Sequence, residues 1–373
     1  MNSPAPCLSR LGLLLGMGVA ILGALPAVAQ VAITSVDYGT TTNGTDRTAG
    51  NLTYLNQVTP VSYVSSSLGT YSINGSLASS VSFRRNTSAG NANSANVYYQ
   101  YSSATDTTAS VIGKGDTSPN LSEVMLSGDL SQGIRNPFAN GSSSSESNIE
   151  RIDFYFSGGY TVKAGDAIVL FDLENYGDHG DGFRVAAFTS VGSVNGAANA
   201  PTAYANSGLL VASGTMGDPV DTPTGTNAKY LLSTTTNGDS LSSSQSLTSL
   251  DYNTGTPGSN DLYLVGILIR FTDLGLSVGQ TIYGYSLMAG DVTASSGSDL
   301  VNWNNTSVYA TNTDASTWGN ADFAGFGAQI ARPVPESRVY GALFLAVGMV
   351  WGLWKFRRAK PYTNICREAS KAG

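Results

Sequence analysis

The sequence predicts an all-β protein, a β-sandwich of jelly-roll kind, with an N-terminal signal peptide and a C-terminal single transmembrane helix. Three observations predict it. Short runs rich in Tyr, Val, Ile, Phe and Thr alternate with Gly, Asn, Ser and Asp turns from Val58 onward, with hardly a segment of helical period. Both ends carry uncharged apolar stretches, whereas the chain between them is polar and acidic. Strands of this number and spacing, without helices to cover them, leave packed sheets as the ready way to bury their apolar faces.

Residues 1–29 read as a secretory signal peptide. Arg10 precedes "LGLLLGMGVAILGAL", and "PAVA" then supplies small residues at Ala27 and Ala29 for a signal peptidase. Pro26 breaks the helix ahead of that site, which argues against a spanning anchor. Cys7 leaves with this segment and Cys366 lies near the other end, so no disulfide is available to the region between.

Residues 30–331 form the exported region, long enough for one large or two ordinary β domains. From Val31 to Ala331 there are 24 Asp and Glu against 10 Lys and Arg. An excess of this size argues against nucleic acid and anionic membranes as partners and suits solubility and cation binding. The predicted strands include "VSYVSSS", "YSINGSLASSVSFRR", "ANVYYQYSS", "IERIDFYFSGGYTV", "DAIVLFDLENY", "FRVAAFTSV", "DLYLVGILIRFTDL" and "QTIYGYSLMAG". Alternation in "IDFYFSG" and "YLVGILIRF" gives each strand one buried face, and "AIVLF" is apolar enough to be central. Residues 86–96, 140–148 and 195–260 read as loops. The last is a possible division between two domains, though a single domain with a decorated loop fits it better.

One loop carries candidate chemistry. "FDLENYGDHGDGFRVAAF" brings Asp172, Glu174, Asp178 and Asp181 into a Gly-rich stretch around His179. A solvated acidic hairpin turn explains it, since Asp-His-Gly-Asp-Gly is good turn chemistry by itself. The same carboxylates are the hard oxygen ligands that Ca²⁺ takes, although the spacing is not that of an EF-hand. No other cofactor is expected. His179 is the single histidine, which removes His-rich zinc sites and leaves no nucleophile-base arrangement with a Gly-x-Ser-x-Gly elbow or a nearby Cys. Trp303 and Trp318 stand in polar loops, where an indole either stacks on a sugar ring or caps the end of the sandwich. The capping role suits them better. No catalytic residue is assigned; a polysaccharide-acting enzyme needs only two carboxylates, yet no pair with an aromatic platform is identifiable.

The C-terminal segment "RPVPESRVYGALFLAVGMVWGLWKFRRAK" spans residues 332–360. Residues 339–354 are sixteen without a charge, about 24 Å as a helix, and flanking Trp and Lys side chains extend that reach. Lys355, Arg357 and Arg358 then orient the helix by the positive-inside rule, which leaves the exported region on the far side of the membrane. Pro335, Glu336 and Ser337, the helix and the basic cluster together resemble the PEP-CTERM sorting signal of exosortase systems, with Ser337 where a second Pro is usual. The resemblance covers residues 332–358. It implies that an exosortase-like membrane protease-transpeptidase recognises the motif, cuts near it and passes the chain from the inner membrane to the cell surface or the extracellular matrix. Residues 359–373 are a short cytoplasmic tail that the resemblance does not require. On helix chemistry alone, a permanent single-pass anchor is the alternative.

The block "FTDLGLSVGQTIYGYSLMAGDVTASSGSDLVNWNNTSVYATNTD" (271–314) is similar to the closing block of surface proteins that carry the same type of C-terminal signal. The two resemblances imply a non-enzymatic surface or matrix protein associated with exopolysaccharide and biofilm. A carbohydrate-binding or adhesive module with Ca²⁺ dependence is the alternative from another class, and extracellular polysaccharide is the partner such a module implies.

Overall fold

The computed structural model describes residues 30–38, 42–43, 47–49, 52–54, 57–58, 61–76, 78–86, 95–103, 106–114, 121–126, 128–140, 149–175, 177–221, 228–230, 251–252, 262–314, 317–319, 321–325, 327–335, 348–351 and 354–355. The expected signal peptide, residues 1–29, and most of the expected 339–354 helix lie outside these residues. No helix among the described residues is long and apolar enough to cross a membrane.

The described chain is nearly all β, as its composition predicts. Twelve strands make the body: β1 (Val31–Tyr38), β2 (Val61–Ser66), β3 (Gly69–Ser76), β4 (Ala78–Arg85), β5 (Ile149–Thr161), β6 (Ala167–Asn175), β7 (Phe183–Val194), β8 (Ala197–Tyr204), β9 (Leu262–Arg270), β10 (Thr281–Ala289), β11 (Phe323–Gly325) and β12 (Gln329–Pro333). One short α-helix, Leu121–Met125, lies among these strands, and residues 348–351 and 354–355 are also helical.

The larger sheet curls until it closes. Its pairings run β9–β1–β2–β3–β12–β6 and return from β6 to β9, every one antiparallel. A six-stranded ring has no free edge and an interior just wide enough for side chains. Ile33, Val36, Val61, Val64, Tyr71, Val169, Phe171, Leu173, Leu264 and Leu268 belong to one buried cluster, which fills it. Phe171 faces Gly266 directly across the β6–β9 pair. A Cβ on Gly266 would stand 2.8 Å from the Phe171 ring and 3.1 Å from Ile33 Cδ1, so glycine there makes room for the ring.

The second sheet, in the order β8–β7–β10–β5–β4, packs on the outer wall of this ring. Ile168 and Leu170 of β6, Val265, Ile267 and Ile269 of β9 and Ile330 of β12 share a core cluster with Ile152, Phe154, Val185, Tyr285 and Leu287 of the second sheet. Strand β6 is thus buried on both faces, which accounts for the uninterrupted apolar run "AIVLF".

Three features differ from the sequence expectation. The first layer is a closed ring rather than an open sheet, because the register of β6 pairs it with both β9 and β12. Strand β1 lies ahead of Val58, hidden in the sequence by its mixed polar pattern. Within 195–260, expected to be loop, Ala197–Tyr204 folds back on β7 through Asn195 and Gly196, both at positive φ. Asn-Gly is the favoured two-residue hairpin turn, and it outweighs the Ala-rich, Pro-containing composition of the strand. Strands on both sides of 195–260 pair together, β7 with β10 and β6 with β9.

Replacing Gly266 by Val is expected to lower stability by about 1–3 kcal/mol through overpacking of the ring interior, read as a fall in the urea midpoint.

Candidate functional site

The buried outer row of β6 begins apolar, with Ile168 and Leu170, and ends acidic, with Asp172 and Glu174. Both carboxyl side chains are buried, and Glu174 is only 7 % exposed. The backbone N–H groups of Leu173 (2.9 Å) and Asp322 (2.7 Å) donate to Asp172 Oδ1, and that of Asp181 (2.8 Å) donates to Oδ2. One carboxylate thereby ties β6 to the loop after it and to the approach to β11. The pairing of Asp172 with Phe323 holds that approach in place, and Asp322 in turn accepts from the Asn136 N–H at 3.0 Å.

Asp172, Glu174 and partly buried Asp181 each bring a carboxylate oxygen to within 4.8 Å of the others. Burial first, then the charges of Asp181 and Asp322, pushes the Asp172 carboxyl well above the ordinary carboxylate range, although the donated N–H groups pull it down. Burial, followed by the charges of Asp172, Asp181 and Asp322, pushes Glu174 up to about 10. Oxygen Oε1 of Glu174 is buried without a hydrogen-bond partner.

The loop that delivers Asp181 is fixed at its back. Gly177 and Gly180 take the left-handed region, at φ 95° and 89°. The Gly180 carbonyl accepts from the Gly214 N–H at 2.8 Å, and the His179 carbonyl accepts from Met216 at 2.8 Å. Met216 packs so closely on Gly180 that a side chain there would collide with it. His179 itself turns to the Gly217 carbonyl, 3.1 Å from Nδ1, and lies 3.5 Å from the Asp218 carboxylate. Asp178 is exposed and stands outside the acidic group, so of the four residues grouped by sequence, three converge. Asp322 joins them from 150 residues away in sequence. No local motif in the sequence announces it; only the β6–β11 pairing brings it there.

The two tryptophans are packed rather than offered to a ligand. Trp303 is 6 % exposed. Its ring lies under the guanidinium groups of Arg84 (5.0 Å) and Arg151 (5.2 Å), so it is packed within the protein rather than open to a sugar ring. Those two arginines share Asp153. Arg151 Nε donates to Oδ1 at 2.6 Å, Arg84 Nε donates to Oδ2 at 2.8 Å, and Ser286 adds a bond at 2.7 Å. Arg151 also donates to the Leu300 carbonyl, which fastens residues 290–314 over the outer face of the second sheet. Trp318 is partly buried against Gly182 and Gly290; a Cβ on either glycine would enter its ring. This slot seats Trp318, four residues ahead of Asp322, whose charge acts on Asp172 together with that of Asp181.

Of the C-terminal motif, Pro335 is described and exposed, two residues beyond the end of β12. Glu336, Ser337, Arg357 and Arg358 lie outside the described residues. Lys355 is helical, with its ammonium 4.4 Å from the Trp351 ring centre.

Burial opposes ionisation of Asp153, but Arg151, Arg84 and Ser286 outweigh it and hold its pKa below the ordinary value. Its ionised pair therefore contributes stability above the unfolded-state pKa, and that contribution is lost as pH falls through the folded-state value. Asp153→Asn should cost about 3–5 kcal/mol at neutral pH, by stranding two buried cations, and should flatten the acid limb of the stability–pH curve. Gly182→Val should displace Trp318 and red-shift its fluorescence. Comparison with known proteins finds no protein-family model, no curated protein and no solved structure that matches this chain.

Proposed function

We propose that this is a non-enzymatic exported protein of the cell surface or extracellular polysaccharide matrix, a β-sandwich of jelly-roll kind, sorted through its PEP-CTERM-like C-terminus. Signal peptidase removes residues 1–29, and an exosortase-like protease-transpeptidase acts at Pro335, Glu336 and Ser337. Residues 339–354 hold the precursor in the inner membrane until then, with Lys355, Arg357 and Arg358 on the cytoplasmic side. Matrix polysaccharide, in a biofilm setting, is the partner this reading implies, and nucleic acid is not.

The observation that supports the reading most is the way the chain leaves the folded body. The strand that closes the ring ends at Pro333, and Val334 makes one more bond, to the Thr70 carbonyl at 2.8 Å. Pro335 is then exposed, as a protease substrate must be. Beyond it, Met349 (64 %), Val350 (68 %) and Trp351 (57 %) present exposed apolar surface on helical residues, which suits burial in lipid. A cut after Pro335 spares every ring strand.

Mass spectrometry of the mature chain in its own cells should find a C-terminus near Glu336; a tail intact through Gly373 would make the segment a permanent anchor instead. A chain stopped after Pro335 should melt within about 2 °C of the full-length protein, whereas one stopped after Ala328 loses β12 and should fall by about 10 °C or more, as expected for the loss of several kcal/mol.

A further inference from the structure

We infer that Asp172, Glu174 and Asp181 form a binding site for one divalent cation, Ca²⁺ by its chemistry, with Asp322 as a neighbouring fourth carboxylate. The inference starts from Glu174. Its side chain is more than nine-tenths buried, it points into the acidic group, and Oε1 has no hydrogen-bond partner. A buried carboxylate oxygen without a donor costs more than a hydrogen bond returns. Nothing in the acidic group donates to Oε1. A cation satisfies it and also offsets the mutual repulsion of the group.

The donor set fits. Asp172 Oδ1 already takes two N–H bonds, whereas Oδ2 takes one, from Asp181, and keeps a lone pair for a metal. The three carboxylates supply oxygen only, and their oxygens lie within 4.8 Å of one another, a span that two Ca²⁺–O bonds of about 2.3–2.6 Å bridge. His179, the residue a zinc site would use, is turned to Gly217 and Asp218. Backbone carbonyls and water complete the shell of six to eight oxygens such an ion takes. The site joins three separate pieces of chain: the end of β6, the loop through Asp181 and, through the Asp322 N–H bond, the segment before β11. In a region whose sequence holds no cysteine, an ion at this point does the cross-linking that a disulfide does elsewhere. The site stands apart from the export reading, and either can fail alone.

The test is thermal melting of the full-length chain in detergent micelles, stripped with EDTA and titrated with Ca²⁺ at about 0.15 M salt, where loose counterion binding is screened. Saturable stabilisation is expected, with a midpoint in the range of extracellular Ca²⁺ modules, about 10⁻⁴–10⁻³ M, and a shift of about 5–10 °C at a hundredfold excess over the midpoint. Glu174→Gln and Asp181→Asn should abolish the shift, while Asp178→Asn, on the same loop but outside the group, should keep it. Glu174→Gln is nearly isosteric and adds no charge to the buried group, so in EDTA the variant should melt close to the parent and remain folded and readable. No saturable shift in the parent, or a shift that survives Glu174→Gln, would overturn the site, and so would a shift lost equally with Asp178→Asn.

Discussion

Burial of β6 on both faces is the constraint on which the remaining architecture hangs. Val169, Phe171 and Leu173 fill the ring while Ile168 and Leu170 meet the second sheet, so one strand serves two cores. Such a strand cannot tolerate polar residues along its length without losing packing on one side or the other. Its last outward positions, Asp172 and Glu174, therefore stand out physically. They carry charge at the place where the apolar row runs out, and the fold surrounds them with three backbone N–H groups and two further acids.

The two polar centres of the molecule solve the same problem differently. At Asp153, the charge is answered inside the protein, by Arg84, Arg151 and Ser286, and the cluster pins the 290–314 cover through Leu300. At Asp172 and Glu174, no arginine or lysine among the described residues forms an ion pair with either carboxylate. Backbone donors satisfy Asp172 in part, and one oxygen of Glu174 is left with nothing. A complete ion-pair network reads as structure, whereas an incomplete one at the junction of three chain segments reads as a place for something from outside.

Much of this was legible in the sequence, and the failures have physical causes. The alternation in "IDFYFSG" and the apolar run "AIVLF" mark β5 and β6 because burial on one face or on two leaves different periodicities. Ring closure was not legible, since it depends on β6 pairing with both β9 and β12, far apart in sequence. Strand β8 was hidden by alanines and Pro201, though Asn195-Gly196 held the signal for its hairpin. Proximity along the loop made Asp178 look like a partner of Asp181, but the left-handed turns at Gly177 and Gly180 point the chain so that only Asp181 returns to β6. Asp322 had no sequence signal at all. The polar setting of Trp303 left both stacking on a sugar and packing open, and the two arginines above it were invisible until the strands that carry them were paired.

We propose that β6 is both the most deeply held strand and the wall of an acidic site suited to an ion. Hydrogen exchange of the full-length chain, followed peptide by peptide with and without Ca²⁺, tests the two halves together. Strands β6 and β9 are expected to exchange only through global unfolding, and Ca²⁺ is expected to slow the amides of Asp181 and Asp322 in step with them. Exchange of β6 as fast as that of the sheet edges, or amides at 181 and 322 indifferent to Ca²⁺, would contradict it.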